Sequence, residues 1–189
     1  MLQERSTLNK ETDVELYKSF LKGNKEAFNV IVQRYMKLLV SFIMGYVKNQ
    51  DVAEDLAQDT FLYMLINKKE YDFKYTLKTY LYTIAKCRAI NYLKKNKRIV
   101  SFEEQYIYNL DSVDLNENLI REENQEKIQN AIKKLKYDYQ IAIYLKDFQE
   151  FQYKEICKIL NKTMPQTKML IYRARKSLKK ILKKEGIIC

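Results

Sequence analysis

The sequence predicts an all-α fold of two small helical domains joined by an acidic linker. Apolar residues recur every three or four positions through most of the 189 residues, which is the spacing of buried helix faces. The chain has only three glycines and one proline, too few for a turn-rich β fold. The helical spacing is lost between residues 99 and 122, where acidic side chains collect. We therefore expect helical domains at residues 1–98 and 123–189, with a linker at 99–122.

The charge of the chain falls into three blocks. The whole sequence has 35 Lys and Arg against 24 Asp and Glu, a net charge of +11. Residues 101–126 carry eight acidic side chains and one basic side chain, whereas residues 1–100 and 127–189 are both basic. Basic blocks favour a polyanionic partner, because neutralised phosphates release their counterions on binding. The alternative is a lysine-rich solvated surface.

Several kinds of chemistry are excluded by composition. The chain has no histidine, which removes Ser-His-Asp triads and most zinc sites. It also lacks a glycine-rich phosphate loop, and we expect no metal and no cofactor.

The cysteines and the apolar segments indicate a soluble cytoplasmic protein. The spacing of the three cysteines, Cys87, Cys157 and Cys189, fits neither a CxxC pair nor a disulfide framework. We therefore expect free thiols, as in proteins of a reducing compartment. We expect Cys87 and Cys157 to be buried as small apolar side chains. The longest apolar stretch, residues 38–47, is too short to span a bilayer, so we expect no membrane insertion.

Four helices are expected in the first domain. Thr12 and Glu15 predict a capping box for a short helix that ends near Gly23. Asp51 is the expected N-cap of the third helix. We expect the second helix to begin at Asn24 or Lys25 and to end between residues 46 and 50. A loop is expected at 67–76 and the fourth helix at 77–97. The candidate core positions of the third helix are Val52, Leu56, Phe61, Met64 and Leu65.

Four more helices are expected at 123–136, 138–149, 152–160 and 164–184, and the last two form a helix-turn-helix. Asn161 can end the first of these in the left-handed conformation, and Pro165 suits the first turn of the second. Either Thr163 or Met164 is the cap.

The last helix has the composition of a duplex reader. It carries eight cations and no acid between Pro165 and Lys184. Such a helix places its first turns against base edges in the major groove, where Arg pairs with guanine and Gln with adenine. The residues placed there are Gln166, Lys168, Tyr172 and Arg173. Met169 is a candidate core position of the same helix. The alternative to DNA reading is a solvated terminal helix.

Two features of the first domain differ from an ordinary core. One side of the third helix carries four carboxylates, those of Asp51, Glu54, Asp55 and Asp59. Such a face could be a metal site, a solvated surface or a docking surface for a basic partner. An aromatic set is interleaved with Lys and Arg between residues 71 and 95, as in proteins that bind single-stranded nucleic acid. Amphipathic core packing is the alternative for the aromatic set, which consists of Tyr71, Phe73, Tyr75, Tyr80 and Tyr82.

The order of these parts resembles a known family. DVAEDLAQDTF at 51–61, followed by TYLYTIAKCRAINYLKK at 79–95, is similar to conserved region 2 of bacterial extracytoplasmic-function (ECF) sigma factors. Residues 128–182, which contain QEFQYKEICKILNKTMPQTKMLIYRARKSLKKIL, resemble region 4 of the same family. The resemblance covers about 13–98 and 123–184.

The resemblance implies a non-enzymatic initiation factor that binds core RNA polymerase and directs it to promoters. The residues implied in docking on the β′ clamp helices are Asp51, Glu54, Asp55, Gln58 and Phe61. Those implied in holding the melted −10 strand are Tyr71, Phe73, Tyr75, Tyr80, Cys87, Arg88, Asn91 and Lys94. Those implied in reading the −35 duplex are Gln166, Lys168, Met169, Tyr172, Arg173 and Lys176. The polymerase β flap and a sequestering anti-sigma factor are further partners that the family suggests.

The sequence departs from the family pattern at several of these positions. Tyr80 stands for a usual tryptophan, Cys87 for asparagine and Asn91 for aspartate, and Pro165-Gln166 replaces a usual Gly-Thr. These changes bear on the promoter sequence and leave the class intact. Two other functions are weighed against it: a stand-alone helix-turn-helix regulator, and a metal-dependent nuclease that uses the carboxylates of the third helix.

Overall fold

The computed structural model describes residues 10–99 and 122–188, with side chains at 10–96 and 127–188. The chain forms two compact units, Met1–Glu103 and Glu104–Cys189, which are described separately. All regular elements of the described residues are helical. Apart from its end positions, the expected acidic linker at 99–122 lies outside the described residues.

Within residues 10–99, the N-terminal unit has four helices, three of which pack around one long apolar helix. The helices are α1 Asp13–Leu21, α2 Lys25–Val47, α3 Gln50–Ile66 and α4 Leu77–Ile99. α2 packs against the other three, and α3 also packs against α4. Among the described helices, α2 has the length and apolarity of a membrane span, but half of that stretch is buried inside the unit. It is the core helix of the bundle.

The capping box predicted for α1 is confirmed. The Glu15 N–H lies 3.4 Å from the Thr12 hydroxyl oxygen, and the Thr12 N–H donates to the Glu15 carboxylate at 2.8 Å. Both Thr12 groups hydrogen-bond to this carboxylate and lower the pKa of Glu15. After α1, Gly23 has φ +99, which a residue without Cβ adopts at little cost.

The expected N-cap of α3 was wrong by two residues. Asn49 is the cap, and its side-chain oxygen accepts from the Val52 N–H at 3.0 Å. Asp51 lies in the first turn instead, where its carboxylate still faces the positive end of the helix dipole. Asn and Asp cap equally well, so the sequence alone did not discriminate between them.

Within residues 122–188, the C-terminal unit contains four α-helices and one π-helical turn. They are α5 Glu122–Lys133, α6 Tyr137–Ile143, the π turn Tyr144–Phe148, α7 Tyr153–Leu160 and α8 Met164–Lys184. The helix expected at 138–149 is therefore α6 continued by the π turn. α8 packs against α5, α6 and α7. The core is mainly aliphatic, with Ile141, Ile143, Leu145, Ile156, Ile159 and Ile171.

Candidate nucleic-acid interface

The predicted helix-turn-helix is present in α7 and α8. α7 ends at Asn161, which has φ +53 as expected for a left-handed cap. The cap of α8 is Thr163, which resolves the choice left open by the sequence. The Thr163 hydroxyl lies 3.4 Å from the Gln166 N–H, and Pro165 fills the first turn, where no N–H partner is needed. The two helices therefore meet through a tight, fully capped turn.

α8 divides into a buried stripe and an exposed face. Thr167, Ile171 and Ala174 are buried at helical spacing. The opposite face bears most of the residues that the resemblance assigns to the −35 duplex: Lys168, Met169, Tyr172, Arg173 and Lys176, all exposed. The prediction that Met169 is a core position was wrong, since its side chain is 49% exposed. It lies two residues from Thr167 and from Ile171, so it points away from the buried stripe.

Gln166 is exposed, but half of its amide is already engaged. Its Oε1 accepts the Thr163 N–H at 2.9 Å, which completes the capping box. A bidentate contact to adenine needs both the amide oxygen and the NH2 group. Gln166 can therefore donate to a base from its capped position, whereas bidentate pairing requires it to leave the cap.

A cleft of about 560 Å³ lies beside the exposed face of α8, between its first turns and the start of α6. Three cations and one carboxylate line it together with tyrosine, amide and apolar side chains. The lining residues are Lys136, Tyr137, Asp138, Tyr139, Lys162, Gln166, Met169, Leu170 and Arg173. Several of the candidate base-reading residues thus border one cationic depression.

The remaining contacts of α8 hold it in place. Arg175 forms an ion pair with Asp147 of the π turn, and its Nε lies 3.3 Å from the second carboxylate oxygen. The hydrogen bond to Asp147 raises the pKa of Arg175. The Cys157 thiol on α7 lies 3.2 Å from the Thr167 hydroxyl on α8, and Cys157 is half-buried. The guanidinium of Arg175 is thus paired inside the unit, whereas Arg173 lies on the exposed face of α8.

In the N-terminal unit, the loop between α3 and α4 is built around Tyr71. This ring is buried and lies 4.8 Å from the Tyr17 ring, 4.6 Å from Phe73 and 5.2 Å from Tyr80. Its hydroxyl donates to the carbonyl of Tyr75 at 2.7 Å. The resemblance implied Tyr71 in holding the melted −10 strand, and the structure places its ring inside the loop. Tyr82 is also buried, against Phe42, so the core alternative holds for both tyrosines.

Phe73 is the member of the aromatic set that reaches solvent furthest. Its side chain is 39% exposed, and its φ of +58 is unusual for a bulky residue. Asp72 shapes the turn, because its Oδ1 accepts the Lys74 N–H at 3.0 Å. Tyr80 is half-buried, and its hydroxyl oxygen is buried with no hydrogen-bond partner. Burial raises the pKa of Tyr80 to about 12.

The outer face of α4 continues from this loop. Cys87, Asn91 and Lys94 are exposed at helical spacing, and Arg88 lies with its guanidinium carbon 5.2 Å from the centre of the Tyr63 ring. The expectation that Cys87 is buried was wrong. Ala85 and Ala89 take the core positions of this stretch, which turns Cys87 outward.

α3 presents an acidic face that ends in an apolar patch. The exposed polar residues of the face are Asp51, Glu54, Asp55, Gln58 and Asp59. The apolar patch consists of Leu62, Leu65 and Ile66, which are 52%, 43% and 71% exposed. Leu65 was expected in the core, and this placement was wrong. Phe61 was expected both as a core position and in docking, and its core position is confirmed. Phe61, only 4% exposed, and Met64 fill the core side of this turn, so the intervening and following residues face outward.

The apolar patch was the main surface feature of this unit that the sequence analysis did not predict. Three apolar residues in a row, Met64 to Ile66, follow Phe61-Leu62 closely, so the apolar pattern alone leaves open which side of the helix faces the core. Within residues 10–96 and 127–188, no group of three or more carboxylate or thiol side chains is placed to hold a metal ion.

Comparison with protein families identifies both units. The Sigma-70 region 2 family matches residues 31–99, and the Sigma-70 region 4 family matches residues 125–178. The first match covers α2 to α4 with the aromatic loop, and the second covers the helix-turn-helix. A helical bundle followed by a duplex-reading domain of this kind defines a sigma-70-type transcription initiation factor.

Curated relatives narrow the class. The ECF RNA polymerase sigma factor SigM of Bacillus subtilis is 30% identical over 149 residues, which are 79% of this chain and 91% of SigM. SigW of the same organism is 30% identical over 176 residues, 88% of this chain and 94% of SigW. The chain belongs to the ECF RNA polymerase sigma factors. It partners with core RNA polymerase and promoter DNA and directs promoter-specific initiation of transcription.

Solved structures agree on the fold. The sigma factor RpoE of Bartonella quintana, in complex with the anti-sigma factor NepR, matches 82% of this chain and 96% of its own, with TM-score 0.63 and 24% identity. CnrH, in complex with the cytosolic domain of CnrY, matches 92% of this chain and 99% of its own, with TM-score 0.62 and 18% identity.

Proposed function

We propose that the exposed face of α8 reads the −35 duplex. The observation that carries this assignment is the division of the helix: a stripe of three residues is buried, and the opposite face offers cations and a tyrosine to a partner. Arg173 is the strongest candidate base reader, because it is exposed and borders the cleft, whereas Arg175 is paired with Asp147. Lys168 and Lys176 supply phosphate contacts, while Met169 and Tyr172 offer apolar surface to thymine methyl groups.

The melted −10 strand is assigned to the aromatic loop and the outer face of α4. Phe73 offers an exposed ring on which a base can stack, and stacking contributes about 1–3 kcal/mol per base. Cys87, Asn91 and Lys94 extend the surface along one side of α4, with Arg88 at its edge. In this proposal Tyr71, Tyr75 and Tyr80 act chiefly by shaping the loop beneath Phe73.

Docking on the β′ clamp helices is assigned to α3. Its exposed carboxylates suit a basic partner, and the patch of Leu62, Leu65 and Ile66 adds apolar area at the same helix. Charge gives such an interface its orientation, and burial of the apolar side chains stabilises it. Phe61 contributes from the core by fixing the rotation of α3. The C-terminal unit is proposed to contact the β flap.

The chain works in the cytoplasm and performs no catalysis of its own in this proposal, since the polymerase makes the RNA. The RpoE and CnrH structures are complexes with NepR and with the cytosolic domain of CnrY. By extension from NepR, an anti-sigma factor is a candidate regulator of this chain.

Transcription in vitro tests the assignment. Core RNA polymerase is incubated with the full chain and total genomic DNA, and the 5′ ends of the transcripts are mapped. The proposal expects discrete new starts that share upstream −35 and −10 elements, together with co-elution of the chain with core. Duplex binding without co-elution and without new starts would instead support a stand-alone helix-turn-helix regulator.

A further inference from the structure

We propose that Tyr17 of α1 is a positioning residue for −10 recognition: it holds the aromatic loop so that Phe73 presents its ring to DNA. This inference rests on the proposed assignment of the loop to the −10 strand. α1 precedes residues 31–99, which match Sigma-70 region 2, so that match assigns it no role.

The first contact is a hydrogen bond from helix to loop. Tyr17 is completely buried, and its hydroxyl donates to the carbonyl oxygen of Lys68 at 2.8 Å. Lys68 lies at the beginning of the loop, 51 positions further along the chain. Burial raises the pKa of Tyr17, so the hydroxyl keeps its proton and remains a donor at physiological pH. The bond fixes the point at which the loop leaves α3.

The second contact is a set of edge-to-face rings. The Tyr17 ring lies 4.8 Å from the Tyr71 ring and 5.9 Å from the Phe73 ring, at interplanar angles of 75° and 83°. Such arrangements are the favourable geometry for aromatic pairs. Phe73 has φ +58, a conformation that a bulky side chain keeps only where its surroundings hold it. Tyr17 and Tyr71 together provide that support, while part of the Phe73 ring stays exposed.

α1 is itself anchored on the core helix α2. Asp13 accepts hydrogen bonds from Arg34 and from the Tyr35 hydroxyl on α2, and Arg34 also donates to the Glu11 carbonyl at 3.1 Å. These bonds tie α1 to the core helix without touching residues 67–76. Tyr35 is the control for Tyr17: a buried tyrosine whose hydroxyl hydrogen-bonds to Asp13 of α1 and not to a residue of the loop.

The test uses full-length wild-type, Tyr17→Phe and Tyr35→Phe proteins, each with core RNA polymerase. Transcription is measured from a promoter taken from the mapped starts and from derivatives with single-base changes in the −10 or −35 element. Tyr17→Phe keeps the ring and loses the bond to Lys68. We expect its discrimination between −10 bases to fall about three- to tenfold, the usual worth of one hydrogen bond. Its discrimination at −35 should equal that of Tyr35→Phe.

Hydrogen exchange on the same free proteins gives a second readout that does not depend on polymerase. Faster exchange confined to the amides of residues 68–76 in Tyr17→Phe supports the proposal. Unchanged exchange with wild-type −10 discrimination overturns it, as does an equal −10 loss in Tyr35→Phe. If the wild-type protein itself shows no −10 discrimination, the assignment of the loop fails, and the role of Tyr17 fails with it.

Discussion

Gln166 and Thr163 are each other's capping partners: the Gln166 Oε1 accepts the Thr163 N–H at 2.9 Å, and the Thr163 hydroxyl faces the Gln166 N–H at 3.4 Å. Gln166, which is proposed to face the DNA at the start of α8, therefore also holds the helix end together. Binding and stability are coupled at this position, and substitutions can separate them.

Gln166→Glu keeps the acceptor for the Thr163 N–H and adds a negative charge at the positive end of the helix dipole. We expect its free energy of unfolding to equal or exceed that of the wild-type protein. Its affinity for −35 duplex should fall, because the NH2 donors are lost and the new charge faces phosphates. Gln166→Ala should lose affinity and also about 1 kcal/mol of stability. Thermal unfolding and duplex titration measure the two effects. A destabilised Gln166→Glu variant would contradict the capping role.

Arg173→Ala should weaken discrimination at −35 by about 1–3 kcal/mol, as for the loss of a bidentate guanine contact. Lys180→Ala is the matched control, since it removes one exposed cation two turns further along α8. It should weaken all duplexes slightly and equally, with a smaller salt slope. Duplex titrations against single-base −35 variants separate the two patterns. An Arg173→Ala profile parallel to that of Lys180→Ala would remove Arg173 from the base readers.

The helix bounds were largely predictable, because caps and apolar spacing are local properties. Thr12, Gly23 and Asn161 signal helix ends through their own side chains or backbone freedom, and the structure has helix ends at these three sites. The sigma-factor class was also predictable, but from the order of two motifs and not from charge. Net charge alone fits a solvated surface equally well.

The facing of individual side chains was less predictable. Tyr71 and Phe73 are both aromatic and have similar neighbours in the sequence, yet Tyr71 is buried and Phe73 is exposed. The Tyr71 ring is covered by Tyr17, Phe73 and Tyr80, and Tyr17 lies more than 50 positions earlier in the sequence. Leu62 and Leu65 pose the same problem on α3. Once Phe61 and Met64 occupy the core, the helix rotation forces both leucines outward.

Lys48 predicts a pH dependence of stability. It ends α2 with φ +58, and burial lowers its pKa to about 8. The unfolded chain therefore binds more protons than the folded one between about pH 8 and the ordinary lysine value, so stability rises with pH there. Lys48→Met should weaken that rise, and Lys48→Gly should also relieve the left-handed backbone, adding about 1 kcal/mol. Denaturant unfolding at pH 7 and pH 9 measures both. Equal pH dependence in wild type and Lys48→Met would refute the burial effect.

We expect the charge and the apolar area of α3 to make separable contributions to the proposed polymerase docking. Asp55→Lys with Gln58→Lys reverses the acidic face, so association with core polymerase should be abolished while helicity is unchanged.

Leu62→Ser leaves the charge alone and should cost about 1–2 kcal/mol of affinity if its exposed half is buried on docking. Only the charge effect should vary with salt. Glu150→Lys, an exposed change in the C-terminal unit, is the control and should retain wild-type affinity. Core binding measured by co-elution and fluorescence titration at two salt concentrations checks these expectations. Retained binding by the double variant would place the docking surface elsewhere.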